Sequence, residues 1–198
     1  MGDSTPVLQW LALTLFGAYV VTRWYYFVRF PKGEITSRGS GWMLDFALTR
    51  LAGVLMLLPM LLYLVGSDLM RPGGAPLPPA LRWAGAVVAA SGVWLLGWSH
   101  AHLRHAFSPE VNLADGQMLV TTGPYRRIRH PMYTSFYVFW LGMGLLAANW
   151  LVALPGLTAM TALLIYRLPR EERLMGEAFG EAYREYQERT GALLPRWR

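Results

Sequence analysis

Met132–Tyr166, MYTSFYVFWLGMGLLAANWLVALPGLTAMTALLIY, runs for 35 residues without one charged side chain. A single crossing of a bilayer core takes roughly 20 apolar residues at about 1.5 Å each. The stretch is therefore too long for one span and just long enough for two short ones. Between the two there is no polar loop, only Ala147-Ala148-Asn149-Trp150. The spacing predicts a tight helical hairpin turning near Asn149, with Pro155 inside its second arm.

Three further apolar stretches lie upstream: Val7–Phe30 with Arg23 near its end, Trp42–Gly66 with Asp45 and Arg50 inside it, and Ala80–Ser99. Arg71-Pro-Gly-Gly-Ala-Pro-Leu-Pro-Pro79 is a loop by composition. The sequence thus predicts an all-α integral membrane protein with five transmembrane helices, over about 7–28, 42–66, 80–100, 132–148 and 150–167. No internal repeat or second domain is visible, so residues 1–198 read as a single membrane domain.

Composition agrees. Hydrophobic residues make up 54% of the chain and charged ones 15%, against about a quarter charged in a soluble domain. This excludes disorder and a disulfide-stapled secreted fold. The lack of cysteine excludes a thiol nucleophile and a thiolate metal site. The net charge of +6 is a topology signal rather than a nucleic-acid footprint. With five spans, Arg29, Lys32, Arg38, Arg104, Arg126, Arg127, Arg129 and the arginine-rich C-terminal segment fall on one side, and Arg71 and Arg82 on the other. The positive-inside rule then places the N-terminus outside and the C-terminus in the cytoplasm. No signal peptide is evident, since Asp3 is the sole charge before the first apolar stretch.

Function must lie in the polar remainder, about 105–133 and 167–198, or in polar groups within the spans. His100, His102 and His105 crowd the end of the third span. They read as metal ligands or as interfacial packing. Packing is favoured, because His100 and His105 point about 140° apart on a helix and no carboxylate pair completes a metal set. Arg126, Arg127, Arg129 and His130 precede Pro131, which suits the first position of a helix. The run reads as a cytoplasmic anchor or as a helix start that favours an anionic group. Leu174, Met175, Ala178, Phe179, Ala182, Tyr183 and Tyr186 form the apolar stripe of a cytoplasmic amphipathic helix. Arg167 and Glu171 share a helix face across Pro169, which is expected to bend the chain; they either pair or each hold part of a ligand. Asp45 and Arg50, five residues apart, are badly placed to pair with each other and are expected to pair with other spans.

The order QMLVTTGPYRRIRHPMY, then the charge-free hairpin, then R-x-x-x-E-E, FGEAYREY and LLPR resembles the isoprenylcysteine carboxyl methyltransferase family. Phospholipid N-methyltransferases look similar over the same region, about Glu110 to Pro195. The resemblance implies a membrane enzyme that uses S-adenosyl-L-methionine. It implies a cofactor pocket of Gln117, Met118, Leu119, Val120, Tyr125, His130, Pro131, Met132, Tyr133 and Glu171, with a looser contact near Glu110. It implies that Arg167 faces the substrate carboxylate; the histidine spacing, separately, leads to the expectation that no metal takes part.

The residue chemistry is consistent with that assignment. An ammonium group wants a carboxylate such as Glu171, and a carboxylate wants donors such as His130, Tyr125 or helix N–H groups. An acceptor carboxylate is ionised at neutral pH with a pKa near ~4, so it needs positioning rather than a general base. The leading expectation is methyl transfer to the carboxylate of an isoprenylcysteine-type, lipid-like molecule at the cytoplasmic face, with membrane lipid as surroundings and no nucleic acid. The alternatives are a phospholipid amine acceptor with Glu172 or His130 as base, an NADPH-dependent sterol-type reductase, and a non-catalytic membrane scaffold.

Overall fold

The computed structural model describes residues 5–29, 42–103 and 119–196. They form α1 (Thr5–Arg29), α2 (Trp42–Leu64), α3 (Pro79–Leu103), α4 (Pro131–Ala147), α5 (Trp150–Phe179) and α6 (Glu181–Arg189), with short 3-10 turns at Asp68–Gly73 and Gly123–Arg126. Among the described residues, β-pairing is confined to isolated bridges, Gly74 with Asn149 and Ile128 with Gly191. The protein is an all-helical, multi-pass membrane protein. Among the described residues, four helices are long and apolar enough to cross a membrane: α1, α2, α3 and α5. The count differs from five because the two hairpin arms are unequal, 17 residues in α4 and 30 in α5. The short arm rises only about 26 Å.

The hairpin turns where its sequence predicts. Ala148 adopts a left-handed conformation, φ 51° and ψ 43°. Asn149 then caps α5, accepting from the Leu151 N–H at 2.9 Å and donating through Nδ2 to the Met70 carbonyl at 2.7 Å. The Asp68–Gly73 turn is thereby tied to the hairpin. The Ala75 N–H to the Ala148 carbonyl (2.8 Å) and Arg82 Nε to the Leu146 carbonyl (3.1 Å) complete that end of the bundle.

The helix α4 packs along α3 and against α5 and α1, while α2 lies on α5. The α3–α4 contact is set by small residues. A Cβ on Gly92 would stand 2.6 Å from the Phe139 nitrogen, and one on Gly142 2.3 Å from the Ala89 nitrogen. Close backbone approach of this kind is how helices associate in lipid, where burial offers little driving force. Tyr19 stacks on Phe139 at 4.3 Å beside the fully buried Trp140. Outward-facing Trp10, Val21, Trp24, Leu58 and Ile165 are exposed, as lipid-facing residues should be.

Pro169 does not interrupt α5, which continues to Phe179. Thirty residues rise about 45 Å, well beyond the ~30 Å hydrocarbon core. The charged residues Arg170, Glu171 and Glu172 lie in the C-terminal part of this long helix. The expected amphipathic helix is in fact divided at Gly180, whose φ of 53° and ψ of −124° end α5 and start α6. Only glycine adopts that backbone conformation readily.

Candidate functional site

At the end of the bundle away from Asn149, four pieces meet: the loop up to His130, the start of α4, the extension of α5, and α6 with the segment after it. The last segment is strapped to the loop. The Arg129 N–H donates to the Gly191 carbonyl (2.8 Å), the His130 N–H to the Ala192 carbonyl (2.9 Å) and Thr134 Oγ1 to the Leu193 carbonyl (2.6 Å).

Two adjacent glutamates lie at the centre in unequal states. Glu172 accepts from Arg129 Nε (2.8 Å), His130 Nε2 (3.1 Å) and Gln187 Nε2 (2.6 Å). Burial pushes its carboxyl up, but the hydrogen bonds from His130 and Arg129 outweigh burial and hold it at about 2. Glu171 accepts from the Tyr133 hydroxyl at 2.7 Å, and its Oε2 lies 3.4 Å from His130 Nδ1. Both ring nitrogens of His130 therefore face carboxylates. A carboxylate at each ring nitrogen favours the charged imidazolium, whose two N–H groups can both donate. Its pKa agrees: burial lowers it, yet the bonds to Glu171 and Glu172 raise it overall.

Tyr125 is buried, with its carbonyl taken by the Tyr186 hydroxyl at 2.7 Å. Burial, then the nearby Tyr186 and Glu171, push its phenol above the ordinary range. Pro131 is buried, Met132 and Tyr133 pack half-buried against the core, and Leu119 and Val120 are half-buried. The structure thus brings Tyr125, His130, Tyr133 and Glu171 together. Gln117, Met118 and the looser Glu110 lie outside the described residues.

Arg167 is placed differently from the expectation of a pair with Glu171. Its Nε donates to Asp45 Oδ1 and its Nη2 to Asp45 Oδ2, both at 2.6 Å, and Nη2 also donates to Thr49 Oγ1 at 2.8 Å. Asp45 has found its partner on another span, as a charge inside an apolar helix must. The Arg50 guanidinium instead lies 4.8 Å over the Phe46 ring of its own helix. His100 is buried and stacks on Tyr26 at 4.7 Å, and His102 Nδ1 lies 3.0 Å from the Trp98 carbonyl. Both are packing residues, and His105 lies outside the described residues.

The sequence reading missed Arg129, Gln187 and Thr49. Arg129 reads as one more cytoplasmic arginine, yet its guanidinium reaches Glu172 and the carbonyls of Thr190 (2.6 Å) and Gln187 (3.3 Å). Its position directly before His130 was the available signal. Nothing in a local pattern singles out Gln187 or Thr49.

Comparison with known proteins matches this half of the chain. A family model described as phospholipid methyltransferase matches residues 80–182. Protein-S-isoprenylcysteine O-methyltransferase A of Arabidopsis thaliana is 28% identical over 111 residues, 56% of this chain and 54% of that protein. Methanethiol S-methyltransferase 1 of Bradyrhizobium diazoefficiens is 37% identical over 76 residues, 37% of this chain and 25% of that protein. The chain spans about half the length of the Arabidopsis relative. The solved structure of the eukaryotic intramembrane Ras methyltransferase ICMT has the same fold, with a TM-score of 0.52 and 19% identity over 93% of this chain and 67% of that one. With more than half of its length matched by the family model, the chain belongs to the phospholipid methyltransferase family.

Proposed function

We propose that this protein catalyses S-adenosylmethionine-dependent methyl transfer to the carboxylate of an isoprenylcysteine-type, lipid-like molecule at the cytoplasmic face of the membrane, with its N-terminus outside. The observation that carries the reading is the unequal state of the two glutamates. Glu172 is bound by three side chains, whereas Glu171 holds Tyr133 and His130 and keeps lone pairs for a ligand.

That donor set fits a zwitterionic cofactor. Glu171 accepts from its ammonium group, and His130 and Tyr133 orient the carboxylate that does so. Tyr125, Leu119, Val120, Pro131 and Met132 form apolar walls that exclude water, with Gln117 and Met118 contributing by their place in the motif. When bound, S-adenosylmethionine supplies an electrophilic methyl group on a sulfonium sulfur. Arg167, nine-tenths buried at the mouth of the membrane, holds the acceptor carboxylate by a charge-assisted hydrogen bond. A carboxylate acceptor is already ionised, so it needs positioning rather than a base, which suits a site whose Glu172 is engaged by three side chains. Its partners hold Glu172 at about 2, which makes it a weak base, and raise the pKa of His130, which favours its charged form. Neither shift favours an amine acceptor, which has to lose a proton first. The names of the isoprenylcysteine relatives support the carboxylate reading.

Calorimetric titration of S-adenosylmethionine into the purified protein tests the cofactor assignment. Binding by the wild type that is weakened at least tenfold in Glu171→Gln is expected; no binding by the wild type overturns it.

A further inference from the structure

Arg23, near the C-terminal end of α1, is an arginine inside an apolar span. A long cationic side chain so placed ordinarily extends along its helix towards water. Arg23 instead turns into the bundle. Its guanidinium carbon lies 5.4 Å from the centre of the Phe136 ring of α4, and its Nη1 is shielded from solvent. Phe136 packs edge-on against Tyr133, with ring centroids 6.4 Å apart, and Tyr133 donates to Glu171. Arg23 also lies close enough to Tyr133 and Arg167 to interact electrostatically with both. Two guanidiniums, one from α1 and one from α5, therefore come together beside Tyr133.

Like charges brought together away from water repel more strongly than they do in solution. That repulsion is present whatever else each guanidinium touches: Asp45 and Thr49 hold Arg167, and the Phe136 ring seats Arg23. An anion bound beside both relieves it. We infer, resting on the proposed carboxylate acceptor, that Arg23 is a specificity-determining residue whose charge, added to that of Arg167, makes the site prefer an anionic acceptor head to a neutral one. Arg23 acts here through its field at short range, not through any particular N–H group. Methyl transfer turns the anionic acid into a neutral ester. The field that draws the substrate in therefore finds no charge to hold on the product, and the same two arginines favour release of the ester.

The test compares an N-acetylated, S-prenylated cysteine with its methyl ester, two ligands that differ in that charge. Equilibrium dissociation constants are measured for both without methyl donor, and the acid-to-ester affinity ratio is the readout. Arg23→Gln is expected to lower the ratio about tenfold, the scale of one charge at short range in a partly screened place, by weakening the acid and leaving the ester little changed. Arg23→Lys keeps most of the wild-type ratio. A guanidinium that merely props α1 against α4 would weaken acid and ester alike. A ratio in Arg23→Gln that equals or exceeds that of the wild type, or one that falls as far in Arg23→Lys, overturns the inference. Donor binding by calorimetry checks that each variant is folded. Should Arg23→Gln fail that check, Phe136→Leu removes the ring that seats the guanidinium; its ratio is expected to fall several-fold, and an unchanged ratio there overturns the inference as well. Wild-type protein that binds the donor but neither binds nor methylates the acid overturns the proposed acceptor and this inference with it. A wild type that methylates the acid beside an unchanged ratio in Arg23→Gln overturns the inference alone.

Discussion

Arg129 and Glu172, 43 residues apart, meet through guanidinium–carboxylate contacts of 2.8 Å from Nε and 3.4 Å from Nη2. The pair ties the loop before α4 to the extension of α5. Through the Thr190 and Gln187 carbonyls the same guanidinium also holds α6 and the segment after it. Removing the cation strands a glutamate that is only 20% exposed. Breaking one side of such a pair costs about 3 kcal/mol. Arg129→Ala should therefore lower the melting temperature in detergent by several degrees and weaken donor binding. A melting curve superimposable on the wild type would show that the network is ornamental.

Neighbouring glutamates should respond in opposite ways. Glu171→Gln removes the charge offered to a ligand and leaves the Arg129–Glu172 pair intact, so donor affinity falls about 10- to 100-fold, the scale of a hydrogen bond to a charged group. Its melting temperature falls less than that of Glu172→Gln, because only the Tyr133 and His130 contacts are altered. Glu172→Gln removes the anion that holds Arg129 and His130, so the melting temperature falls. Paired melting and calorimetry separate the two; equal effects of both substitutions on both readouts contradict the division of roles.

The two titrating groups set opposite limits on pH. The pKa of His130 is raised above 6.5 in the fold, so its contribution to stability is complete below 6.5 and is lost as pH rises through the raised value. Glu172 is depressed from 4.5 to about 2, so its contribution is complete above 4.5 and is lost as pH falls towards 2. In a pH series of melting temperatures, Glu172→Gln should flatten the acid-side decline and His130→Gln the alkaline-side decline. Declines that keep their wild-type shape in both variants would count against these assignments.

The hairpin turn should be a weak point when altered. Asn149 is buried, caps α5 and bonds to the Met70 carbonyl. Loss of the cap costs about 1 kcal/mol, and the orphaned Met70 carbonyl adds about 1–3 kcal/mol. Asn149→Ala should lower the melting temperature without changing donor affinity, because the site is at the other end of α5. A change confined to donor affinity would show that the two ends of α5 are coupled.

Much of the fold was legible because charge and length leave few choices in a membrane. Thirty-five charge-free residues with one Asn near the middle admit little except a hairpin at Asn149. Pro169 signals a bend, and the structure shows that α5 continues as helix past it to Phe179. The amphipathic helix was read as running unbroken through Gly180, and the break there needs a φ of 53° that periodicity does not report. At the site, the family resemblance implies that His130, Tyr133 and Glu171 share one pocket, and the structure brings them together. The partner of Arg167 was not legible. Asp45 lies 122 residues earlier on α2, and a long-range pair leaves no local pattern beyond a charge out of place in an apolar helix.

The central claim is methyl transfer to a carboxylate, and the most direct measurement is the chemical form of the product. Purified protein is incubated with methyl-labelled S-adenosylmethionine, an S-prenylated cysteine with a free carboxylate, and phospholipid vesicles that contain an amine headgroup. The account predicts label in the prenylated acid as an ester that mild base releases as methanol. Base-stable label in the phospholipid, or no transfer to either acceptor by protein that binds the donor, would contradict it.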